Sequence, residues 1–126
     1  MTGAAAIVKC LELEKVDFVF GYPGVAICPF YDSLEDSEIR SILVRTEQNA
    51  AHEANGYARI SGKPGVCAVT SGPGATNVIT GIATAFADSI PLIVITGQVE
   101  SRLLGSDVFQ EADICGASES FVKYSY

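Results

Sequence analysis

Glu47 stands where a carboxylate can do chemistry. It follows the apolar run 39–44 and opens an alanine-rich stretch. A carboxylate in the first turn of a helix is favoured by the helix dipole by about 0.3–1 kcal/mol, so a purely structural role is one reading. The other reading is an acid half-buried at a ligand-binding edge, where desolvation raises its pKa and suits it to proton transfer. Ser71-Gly72-Pro73-Gly74, with Asn77 close behind, is a second candidate. Glycines between a strand and a helix let the backbone approach a ligand closely. The run is neither a dinucleotide fingerprint nor a P-loop, because G-x-G-x-x-G and G-x-x-x-x-G-K-[ST] are both missing. A tight turn that lets a helix pack on a sheet is the structural alternative. Phe109-Gln110-Glu111 sets a polar pair beside an aromatic ring. His52, the single histidine, lies on the alanine-rich stretch and reads as a packing or interface residue rather than a catalyst. The four cysteines, at 10, 28, 67 and 115, show no C-x-x-C spacing and suit neither a zinc site nor a disulfide framework. They read as reduced, core-type thiols.

Alternating helices and strands must position these residues. Ala4, Ile7, Val8 and Leu11 fall at i, i+3, i+4 and i+7, which predicts an amphipathic helix. Residues 16–21 (VDFVFG) form a β-branched, aromatic strand that ends on glycine, and Tyr22-Pro23-Gly24 is a turn. Ile27, Phe30, Tyr31 and Leu34 restore the helical period, and 39–44 is a second strand. Residues 47–61 carry an apolar stripe of Ala50, Ala51, Ala54, Tyr57 and Ala58, closed by Gly62 with Pro64 beyond. Residues 65–70 are a strand, 71–74 a turn, and 75–86 a helix. Residues 91–96 (PLIVIT) are apolar on both faces, as a strand inside a parallel sheet is. Residues 102–107 are loop, 109–114 a short helix and 121–126 a last strand. The alternation predicts a three-layer α/β/α fold with a central parallel sheet, in one domain spanning 1–126. Ligands sit beyond the carboxyl ends of strands in such sheets, so the loops at 22–24, 45–48, 71–74 and 97–99 share one functional edge.

Composition narrows the partners. Lys plus Arg is 8 against 15 Asp plus Glu, a net charge of −7, which disfavours nucleic acid and anionic membrane. At 48% hydrophobic and 18% charged, against roughly 25% charged on average, the chain is not disordered, and part of its surface is expected to meet another protein surface. No targeting segment is visible, and the longest apolar run, 90–95, is far below the ~20 residues that span a bilayer, so a cytoplasmic location is expected.

Five runs occur together in order: Phe20-Gly21-Tyr22-Pro23-Gly24; Glu47-Gln48 with Ala50-Ala51-His52 and Gly56-Tyr57-Ala58-Arg59; Thr70 through Asn77; Ile95-Thr96-Gly97-Gln98-Val99; and Phe109-Gln110-Glu111-Ala112-Asp113. Over essentially the whole chain they resemble the N-terminal pyrimidine-binding domain of thiamine-diphosphate enzymes, and among these the large catalytic subunit of acetolactate synthase. The resemblance implies the thiamine-diphosphate-binding fold. It implies that Glu47 hydrogen-bonds a ring nitrogen of the cofactor's aminopyrimidine and favours the tautomer that takes the proton from the thiazolium carbon. It implies decarboxylation of pyruvate and its condensation with a second 2-ketoacid in branched-chain amino-acid biosynthesis. Pro23, Gly24, Pro73 and Asn77 map to loops around the pyrimidine ring. Gln110 maps to a glutamine facing the reacting centre, and Phe109 and Val25 to the substrate side. Mg²⁺ and the diphosphate would be held by a separate diphosphate-binding domain through a Gly-Asp-Gly motif not found here, and FAD by a middle domain. The chain is then a fragment or one subunit of a split enzyme, inactive alone. It would pair as a homodimer with that second domain, with a regulatory subunit as a further partner. Thr46 stands where the resembled sequences have histidine, Asn49 where glycine is common, and Val25 where they have a second glycine. These departures leave open a related decarboxylase or carboligase for sulfopyruvate or glyoxylate. The missing Gly-Asp-Gly motif leaves open a non-catalytic assembly module.

Overall fold

The computed structural model describes residues 1–126. Four strands, β1 (Phe18–Tyr22), β2 (Arg40–Leu43), β3 (Gly65–Val69) and β4 (Leu92–Thr96), form an all-parallel sheet in the order β2-β1-β3-β4. Phe18 pairs with Arg40, Phe20 with Cys67, and Cys67 with Val94. The helices are α1 (Gly3–Leu13), α2 (Cys28–Glu35), α3 (Glu47–Ser61), the short α4 (Pro73–Thr76), α5 (Ile79–Ala87) and α6 (Ile114–Ser118).

Strand pleating creates two cores. Val19, Val66 and Ala68 face one side and pack with Val8 and Leu11 of α1 and Phe30 and Leu34 of α2. Cys67 and Val69 face the other, against Ala50, Ala51 and Ala54 of α3 and Ile82 of α5. This is the expected three-layer arrangement. The alanine stripe is buried because α3 crosses close to the sheet: a Cβ on Gly65 would fall 2.0 Å from Ala54 O. Gly62 ends α3 in the left-handed conformation at φ 70°. No helix is long and apolar enough to cross a membrane.

Five local expectations are corrected. The 75–86 helix is two pieces, because the backbone tightens at Val78, whose N–H bonds to Ala75 O at 3.3 Å. The expected 71–74 turn already holds the first residues of α4, since Pro73 suits a helix start. The short helix lies at Ile114–Ser118 rather than 109–114, started by Asp113, whose side chain accepts from Gly116 N–H at 2.8 Å. Residues 121–126 form no strand: Phe121 packs edge-on against Phe86 of α5, 6.4 Å between ring centres, which carries the chain over α5 and not along β4. So β4 is an edge strand, and Ile93 is 42% exposed although its run is apolar throughout. The cysteines are corrected too. Only Cys67 is buried, while Cys10, Cys28 and Cys115 sit on outward faces of α1, α2 and α6. Burial pushes the Cys67 thiol up to about 12.

Candidate functional site

The strand order reverses direction at β1 and β3, and there the loops following them meet. A Cβ on Gly24, after β1, would lie 2.6 Å from Thr70 Cβ, after β3. Gly97, after β4, packs as closely on Ala26, and its N–H donates to Val69 O at 2.8 Å. Three of the four expected loops are thereby knitted into one edge.

The fourth loop brings Glu47. Thr46, extended at the end of the β2 connection, caps α3 by accepting from Asn49 N–H at 3.4 Å. Glu47 is therefore the first helical residue, half-buried, and its direction is set by the cap. Asn77 Nδ2 donates to Glu47 Oε2 at 3.0 Å. The other oxygen, Oε1, has no hydrogen-bond partner in the chain and lies 3.4 Å from where a Cβ on Gly74 would stand. That Cβ would also strike Thr70 Cγ2 at 2.6 Å. Gly24 and Gly74 thus let their loops close on the Thr70 side chain, beside a carboxylate with one free oxygen.

Thr70 was not singled out from its residue type. It is buried, and its Oγ1 has no hydrogen-bond partner. Its signal in the sequence was only its place at the end of a strand, before the glycine turn.

Gly72 has φ 59°, and the atoms pressed on it are the backbone of Gln110, 2.5–2.7 Å from a would-be Cβ. Here too the close approach is of the chain to itself. Gln110 is brought to the same turn, half-buried, with φ 61°. Pro23 and Pro73 are exposed at the rim. Val25 and Phe109 are 86% and 87% exposed on the surface around this turn and the loop after β1. His52 points outward from α3.

No group of three or more His, Cys, Asp or Glu side chains gathers to hold a metal ion. An open concavity of about 650 Å³ lies at the opposite, amino edge of β1 and β2, lined by Glu12, Lys15, Asp17, Glu38 and Arg40. Lys63 and Tyr57 hydrogen-bond Asp17 there and hold its carboxyl below the usual range.

Residues 1–117 match the family described as "Thiamine pyrophosphate enzyme, N-terminal TPP binding domain". The chain belongs to this family. Among curated proteins it is 56% identical, over its whole length, to the probable acetolactate synthase large subunit of Methanococcus aeolicus, covering 21% of that protein. It is 57% identical, again over its whole length and 21% of the relative, to the probable acetolactate synthase large subunit of Methanocaldococcus jannaschii. It is 53% identical to the acetolactate synthase isozyme 2 large subunit of Escherichia coli, covering 23%. The chain therefore spans about a fifth of the length of these relatives. As an N-terminal domain of the thiamine pyrophosphate enzymes, it has thiamine diphosphate as its implied cofactor, and the unpartnered Glu47 Oε1 and Thr70 Oγ1 offer polar atoms to a hydrogen-bonding ring.

Proposed function

We propose that the chain is the pyrimidine-binding domain of an acetolactate synthase large subunit, which joins pyruvate to a second 2-ketoacid in branched-chain amino-acid biosynthesis. The observation that carries this reading is the Glu47 carboxyl, held at one oxygen by Asn77 and free at the other above Gly74. When bound, thiamine diphosphate supplies the electron sink for loss of carbon dioxide from the 2-ketoacid. Glu47 Oε1 holds a proton toward a ring nitrogen, and Asn77 fixes the direction in which it is offered. Pro23, Gly24, Pro73 and Asn77 line the ring, and Gly24 and Gly74, lacking a Cβ, let the two loops close on Thr70 beside it. Gln110 faces the second 2-ketoacid, with Phe109 and Val25 on the substrate side.

The donor set supports only this half of the site. Mg²⁺, the diphosphate and FAD belong to other parts of the complete protein, which pairs as a homodimer in the cytoplasm and can take a regulatory subunit. The exposed rim, and a charged fraction of only 18%, support a surface meant to be covered. Thr46 gives little support to a different substrate, since its side chain is engaged as the α3 cap.

Replacing Glu47 by Gln in the full-length protein tests the reading. Acetolactate formation from pyruvate is expected to fall by about 10²-fold or more, the usual worth of a positioned acid–base group. Near-normal turnover would sink it.

A further inference from the structure

One carboxylate straps the loop between β4 and α6. Glu111 accepts from the N–H of Gly105 and, at 3.3 Å, from that of Val108. Its own N–H donates to Val108 O at 3.1 Å. The turn so closed contains Asp107 and Gln110 at φ 52° and 61°, a left-handed conformation that costs energy for residues other than glycine. The same turn lays the Gln110 backbone on Gly72. Behind it, Gln98 Nε2 donates to Ala112 O at 3.3 Å, tying the loop back to the end of β4. Apolar packing does little here: Leu104 is 50% exposed and Phe109 is 87% exposed. The loop's shape therefore depends on polar bridges, and the charged one, at Glu111, is the strongest kind available.

We propose that Glu111 is a positioning residue: by bridging the N–H groups of Gly105 and Val108 it holds the loop in the shape that presents Gln110 beside the Gly72–Gly74 turn. Glu111 touches no substrate and acts through Gln110. The inference rests on Gln110 facing the second 2-ketoacid. Without the bridge, the two N–H groups lose their acceptor and the left-handed residues relax, so Gln110 leaves Gly72. Glu47 is held from α3 and α4 and is unaffected.

The test compares Glu111→Ala and Glu111→Gln in the full-length protein. Hydrogen–deuterium exchange is read for a peptide covering 104–110. Kinetics are read with pyruvate as donor and 2-ketobutyrate as acceptor, alongside exchange of the C2 proton of bound thiamine diphosphate. In Glu111→Ala, peptide exchange is expected to speed up and the KM for 2-ketobutyrate to rise, each about ten-fold or more, as loss of the two carboxylate hydrogen bonds implies. C2-proton exchange stays at the wild-type rate. Glu111→Gln keeps one acceptor oxygen and falls between. Unchanged peptide exchange in Glu111→Ala overturns the proposal. So does a fall in C2-proton exchange that parallels the change in KM, because the defect is then general. Faster peptide exchange with an unchanged KM upholds the bridge and removes Gln110 from the substrate side, which counts against the functional reading instead.

Discussion

The Glu47 carboxylate is useful because its two oxygens are treated differently. One is bound by Asn77 and the other, beside Gly74, has no partner in the chain. Asn77 is exposed, so its hydrogen bond orients Glu47 more than it stabilises the fold. Asn77→Ala in the full-length protein is expected to lower kcat about ten-fold, the worth of one hydrogen bond, with little change in melting temperature. A lowered melting temperature with normal kcat would assign Asn77 a structural role. The residue types and their spacing made Glu47, Gly74 and Asn77 legible from sequence, because strand-end loops and glycine turns carry local signals. The local role of Thr46 was not legible: its hydroxyl caps α3. A cap is set by the backbone direction at the helix start, which single residues reveal poorly.

At the scale of elements, α3 is the central support. It starts at Glu47, lies against β3 and packs on α5 through Ala51, whose Cβ would be 2.4 Å from a Cβ on Gly81. Gly81→Ala is expected to push α5 off α3 and cost about 1–3 kcal/mol, read as a lower denaturation midpoint. Gly56→Ala, on the same helix with open space around it, is expected to stabilise by about 0.5–1 kcal/mol. If both variants behaved alike, helix propensity rather than close packing would govern α3. The period of α3 and its closing glycine fixed both its ends correctly from sequence. The break between α4 and α5 was not legible, because it depends on where Val78 bonds across the turn. Nor was the edge position of β4: an apolar strand of the kind usually found inside a sheet lies at the rim, and strand order is a property of pairing that no single segment encodes.

At the scale of the molecule, one group inside a core and one half-buried beside the other make stability depend on pH. Burial holds the Cys67 thiol and the Tyr31 hydroxyl above their ordinary values. Both are raised on folding, so the stability they contribute is complete below the ordinary thiol pKa of about 8.5 and is lost as pH rises past it. Thermal melts are expected to fall steadily from about pH 8.5 upward, and Cys67→Ala is expected to flatten the first part of that fall. An unchanged slope in Cys67→Ala would place the titration elsewhere. For the same reason, iodoacetamide is expected to label Cys10, Cys28 and Cys115 in the native chain and Cys67 only on unfolding, read peptide by peptide. Prompt labelling of Cys67 would show that its strand opens readily. The role of Glu47 is measured most directly in the full-length protein. That measurement is proton–deuterium exchange at C2 of bound thiamine diphosphate, compared between wild type and Glu47→Gln at saturating cofactor. Exchange slower by about 10²-fold or more in Glu47→Gln is the expected result; equal rates would contradict the assignment of Glu47 as the activating acid.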